Sequence, residues 1–218
     1  MRTVFTIPAA LLLLVSVVSA GGLPQVKEGE RRSAPEGMIQ ILARLQAIRK
    51  KANSQLKSVS QVARFAKLGV KESDCPEPET RAIAVRKGAE WPARTATSFV
   101  VAFHENRQPS ALLEVPSSCS GDWRNEYVHY FDPTGRTIAF ERYSAFFNGC
   151  DGGLARERST TYYTPNGTVI AREYRLEDGG AREISPATCT FDYRHPYIVH
   201  RDWTTAARAA GLPASVCR

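Results

Sequence analysis

The sequence predicts an α+β protein: an N-terminal basic amphipathic helix followed by an antiparallel β-meander sheet with disulfides. Three observations predict it. From Gly37 to Val70 there is no proline, and apolar residues recur at helical steps. Beyond residue 80 the rhythm changes to short apolar or alternating runs separated by turn residues. One hairpin motif also occurs twice, at Tyr130-Phe131-Asp132-Pro133-Thr134-Gly135 and at Tyr162-Tyr163-Thr164-Pro165-Asn166-Gly167.

The chain of 218 residues is 43% hydrophobic and 23% charged, with 15 Gly and 13 Pro. That balance excludes collagen-like, disordered and multi-span membrane classes. Residues 1–20 read as a signal peptide: Arg2, an apolar run through Leu11–Leu14, and a small-residue exit at Val18-Ser19-Ala20. Cleavage is expected after Ala20, giving a secreted or periplasmic protein with no transmembrane segment in the mature chain. Residues 21–36, rich in Gly, Pro and charge, read as a flexible arm.

Residues 37–71 are expected to form the basic helix. Ile41, Leu45, Ile48, Ala52, Gln55, Val59, Val62 and Ala66 make its inner seam. The same span carries eight cations and no acid: Arg44, Arg49, Lys50, Lys51, Lys57, Arg64, Lys67 and Lys71. Lys50, Lys57, Arg64 and Lys71 recur every seventh residue opposite the seam, a stripe suited to an anionic surface. Residues 72–80 read as an acidic, proline-containing linker.

The domain from 81 to 218 should be β-rich. Strands are expected at 81–86, 97–104, 111–115, 126–131, 137–143, 157–163, 168–176 and 188–193, and a short helix at 204–210. The duplicated hairpin (126–143 and 157–176) carries Pro and Gly where a type I turn with a G1 bulge requires them. Counting outward from that turn pairs Asp132 with Arg136, Tyr130 with Ile138, Val128 with Phe140 and Glu126 with Arg142.

Cys75, Cys119, Cys150, Cys189 and Cys217 lie at spacings unlike a zinc ribbon or a Cys-x-x-Cys pair, so disulfides are expected and metal is not. The hairpin register favours Cys119–Cys150. Cys189–Cys217 would pin the C-terminus and leave Cys75 as the odd thiol.

No phosphate loop, nucleophile elbow or dinucleotide fingerprint occurs, and no cofactor is expected. The reading is therefore a non-enzymatic binding or envelope-associated protein. Its expected partners are lipid headgroups, lipopolysaccharide or an anionic protein, with nucleic acid less favoured. The rival is a small secreted hydrolase, nuclease-like, with His129, His195 and His200 supplying acid and base.

Overall fold

The computed structural model describes residues 36–70, 77–150, 153–189 and 197–216. The expected signal peptide, most of the expected arm, part of the expected linker, Lys71, Cys75, His195 and Cys217 lie outside the described residues.

Helix α1 spans Glu36–Leu56. A single 3₁₀ turn (Val59–Gln61) leads into strand β1, Val62–Leu68. The remaining strands are β2 (Ile83–Val85), β3 (Thr95–Phe103), β4 (Pro109–Pro116), β5 (Trp123–Phe131), β6 (Thr137–Cys150), β7 (Gly153–Tyr163) and β8 (Val169–Asp178). Helix α2, Trp203–Ala209, follows, with Asp202 capping it by accepting a hydrogen bond from the Thr205 N–H. All strands join one eight-stranded sheet in the order β2-β1-β3-β4-β5-β6-β7-β8, and every pairing is antiparallel.

The helix is shorter than expected. Residues 62–68 form a strand between β2 and β3, so Val62 and Ala66 fill the sheet and do not extend the helical seam. Val62-Ala63-Arg64-Phe65-Ala66-Lys67-Leu68 fits either period. Sheet pairing on both sides outweighs weak local helix propensity. The expected strand at 188–193 is absent from its described part, since Pro186–Thr188 is a 3₁₀ turn.

The two faces of the sheet are covered by different elements. Leu45 and Ala52 of α1 pack with Ala102, Val128, Tyr130, Ile138 and Tyr162 on one face. On the other, Trp203, Ala206, Ala207, Ala210 and Leu212 pack with Phe65, Phe99, Val101, Leu112 and Phe131. Trp203 meets the edge of Phe131 at 5.7 Å between ring centroids. Burying a side chain of this size stabilises by roughly 1.5–3 kcal/mol.

The duplicated turns form with one correction to register. Asp132 N–H donates to Arg136 O at 2.9 Å, as expected, and Gly135 has φ +82°. A second irregularity follows, so Phe131 faces Thr137 whereas Tyr130 faces Ala139, Val128 faces Glu141 and Glu126 faces Tyr143. The same step recurs in the second copy, where Tyr163 faces Val169 and Tyr162 faces Ala171. It recurs in β3–β4, with Phe103 facing Pro109 and Ala102 facing Ala111. Arg107 takes the glycine's place there at φ 65°. Ile138 is thus an extra bulge residue. The residue opposite each repeated tyrosine is an alanine, small enough to leave room above it.

Gly135→Val and Gly167→Val should each cost about 1–3 kcal/mol, because a β-branched residue is strained at positive φ. Both glycines have φ +82°, but a Cβ on Gly135 would meet the Trp203 Cβ at 3.6 Å, whereas Gly167 faces open space. That distance is ordinary contact, so both variants should unfold at a lower denaturant concentration than wild type. Equal midpoints for both variants and wild type would refute the assignment.

The disulfides are rearranged. Cys150 bonds Cys189, so neither the Cys119–Cys150 nor the Cys189–Cys217 bridge forms. Cys119 is itself disulfide-bonded. The cause lies in β6. Asn148 adopts φ 60° and the β6–β7 register shifts between Phe146 and Cys150, placing Cys150 beside Cys189 in an isolated bridge.

Candidate functional site

The repeated motif supplies more than turns. Strand alternation puts Tyr130, Glu141, Tyr162 and Glu173 on the face that α1 covers, and all four converge on the helix. Arg49 donates from Nε to Glu141 at 3.1 Å and from Nη1 to Tyr162 Oη at 2.8 Å. Its Nη2 also contacts Glu141, and its Nη1 lies 3.4 Å from Glu173. Gln46 donates to Glu173 at 3.0 Å, and the Tyr130 hydroxyl donates to Asn53 at 2.8 Å. Burial works against the Arg49 charge, but the Glu141 carboxylate outweighs it and holds the guanidinium pKa above its ordinary value. Burial likewise raises the Tyr130 phenol, helped by Glu141. Arg49 is therefore an internal anchor, its guanidinium engaged by Glu141 and Tyr162.

The other cations divide by position. Arg44, Lys50, Lys51 and Lys57 are exposed, with Lys51 held 2.8 Å from Glu105. Arg64 lies over the Trp91 ring at 4.0 Å and donates to Ala89 O. Lys67 lies on the opposite face of the sheet from Arg64, donating to Ala209 O at 3.3 Å, and burial lowers its pKa. The stripe expected through Lys50, Lys57 and Arg64 is thus not one helical face, because the chain becomes a strand before Arg64.

Two of the three candidate histidines meet, but not as a catalytic pair. His129 is fully buried on β5, with its ring 5.5 Å from that of His200. Its Nε2 accepts the His200 backbone N–H at 3.1 Å, and its Nδ1 has no hydrogen-bond partner. Burial, and secondarily His200, lowers its pKa to about 3. A base whose lone pair is already engaged, and which stays neutral near pH 7, does not shuttle protons. His200 lines a 510 Å³ cleft with Arg136, Tyr163, Asn166 and Arg201, a cleft His129 does not reach. The surrounding rings instead clamp the C-terminal segment to the sheet. Tyr197 stacks on Tyr127 at 4.1 Å and donates to Glu114 at 2.8 Å. Burial raises the Glu114 carboxyl, against the pull of Tyr197 and Lys67.

Among the described residues no cluster of His, Cys, Asp and Glu is arranged to hold a metal, and no helix is long and apolar enough to cross a membrane. No family model, curated protein or solved structure matches the chain.

Sequence reasoning missed the arginines of the bare sheet. Arg156, Arg158 and Arg175 share the α1 face with Tyr143, beyond the part that α1 covers. With Tyr143, Glu157 and Glu177 they line an open cleft of 420 Å³. Their alternation along 156–158 was legible as strand periodicity, but not that β8 brings Arg175 beside them.

Proposed function

We propose that this is an exported, non-catalytic binding protein that attaches to anionic lipid surfaces through α1. The observation that carries the reading is the composition of the outward side of α1. Arg44 and Lys50 are exposed on it, and Lys57 in the turn just past its end, without an acidic residue between them. At the N-terminal end of the same helix Met38, Ile39 and Ile41 are also exposed, at 38%, 57% and 45%. At about 100° per residue Ile39 lies on the side of the helix that carries Lys50, whereas Met38 and Ile41 continue the inner seam, and a cationic side that ends in exposed aliphatics suits the headgroup–acyl boundary. A nucleic-acid duplex would use the cations and leave the aliphatics in water. Export rests on the signal-peptide pattern of residues 1–20, and lipopolysaccharide or headgroup phosphates are the expected anions. The role of the Arg49 network, on this reading, is to hold α1 against the sheet while its outer side makes the contact.

Vesicle co-sedimentation tests it. Wild-type mature protein should bind phosphatidylglycerol-containing vesicles at low salt and release at high salt, at a scale of about 1 kcal/mol per engaged cation. Changing Arg44, Lys50 and Lys57 together to Glu should abolish binding. Failure of wild type to bind at low salt, or undiminished binding by the variant, would overturn the proposal.

A further inference from the structure

We infer that the arginine cleft on the bare part of the sheet is a subsite for a terminal phosphomonoester carried by a lipid headgroup, an inference that rests on the lipid-surface reading above. The first argument is an arrangement the fold alone does not favour. Arg158 of β7 lies directly opposite Arg175 of β8. Like charges at that position destabilise a sheet.

Their neighbours relieve the repulsion only in part. Arg175 pairs with Glu177, and Arg158 lies 3.6 Å from Glu141, a carboxylate already held by Arg49. Arg156 faces Glu177 across the strands, with no ion pair among the described residues. Further along the same rows, Glu126 is held by Arg124. The side chains of Arg158 and Arg175 are 58% and 68% exposed, so their remaining N–H donors are accessible.

The second argument is shape. Tyr143, opposite Arg158, lies 5.5 Å from that guanidinium and supports its plane. The cleft measures 420 Å³, room for a phosphate and the first atoms of its carrier. Planar guanidinium forks suit tetrahedral oxyanions, and a monoester offers them three free oxygens and up to two charges where a diester offers two oxygens and one charge. The third argument is placement. The cleft and α1 occupy the same face of the sheet, so a surface approached by Arg44, Lys50 and Lys57 also presents its headgroups on the side of the sheet that carries the cleft.

The test compares vesicles containing phosphatidic acid, a monoester, with vesicles containing phosphatidylglycerol, a diester, at matched surface charge. Wild type should prefer phosphatidic acid by about tenfold, the scale of one charge-assisted hydrogen-bonded group. Inorganic phosphate should remove that preference more effectively than chloride at equal ionic strength. The double variant Arg156→Gln, Arg175→Gln should bind both vesicles equally, losing more affinity for phosphatidic acid than for phosphatidylglycerol. Relief of the Arg158–Arg175 repulsion offsets the loss of the Arg175–Glu177 pair, so it should still fold, which its circular-dichroism spectrum and unfolding midpoint check. Equal binding of both vesicles by wild type, or a preference that survives in the folded double variant, would overturn the subsite and leave the reading of α1 intact. Absence of binding to either vesicle would remove both.

Discussion

Replacing Arg49 with methionine should lower the unfolding free energy by about 3 kcal/mol, the lower end for breaking a buried ion pair. The lower end applies because the Arg49 side chain retains 17% exposure, against 9% for Glu141. Methionine keeps the apolar stem over Tyr130 and Tyr162 but strands the Glu141 carboxylate between β5 and β7. Tyr130 at 3.4 Å and Arg158 at 3.6 Å remain beside it, a partial compensation. Adding Glu141→Gln to Arg49→Met should recover part of the loss, because no uncompensated charge is then left behind. Chemical denaturation of the four proteins closes a double-mutant cycle. Additive losses would mean that Arg49 and Glu141 are not coupled and that α1 is held by its other contacts with the sheet.

The second large effect is a loss of stability in acid that passes through His129. In the unfolded chain this histidine takes a proton below its ordinary value of 6.5, whereas in the fold it stays neutral down to about 3. Between those limits the folded state binds fewer protons than the unfolded state, so stability falls as pH falls. The slope attributable to this one group is about 1.4 kcal/mol per pH unit. His200, lowered by burial, acts in the same direction, and Glu114, raised by burial, acts in the opposite one. The variant His129→Gln keeps an acceptor for the His200 N–H and removes the titration, so it isolates the contribution. Denaturation midpoints between pH 7 and 4 should fall less steeply in the variant. Parallel profiles would show that His129 is accessible to protons in the folded protein.

Both effects depend on residues whose partners lie far away in the chain, and that separates what was legible from what was not. The hairpin turns were readable because Asp132-Pro133-Thr134-Gly135 and its copy carry local backbone requirements: a fixed φ at proline and a positive φ at glycine. Most strands were readable for the same reason, since alternation is a local property. The bulge at Ile138 was not, because a bulge depends on how the partner strand packs. A one-residue step was enough to exchange Ile138 for Ala139 opposite Tyr130.

The sequence by itself determined the change from helical to strand rhythm, the turn positions and the concentration of positive charge between residues 37 and 71. These follow from steric and periodic rules that act over a few residues. Only the tertiary structure decided that 62–68 joins the sheet, because pairing with β2 and β3 satisfies a strand on both edges. Only the tertiary structure decided which cations are free. Arg49 is drawn inward because the repeated Tyr and Glu residues, separated along the chain, are stacked by antiparallel pairing into one pocket under α1. Lys50, one residue on, points out. A step of about 100° around the helix separates an internal anchor from a cation left to solvent.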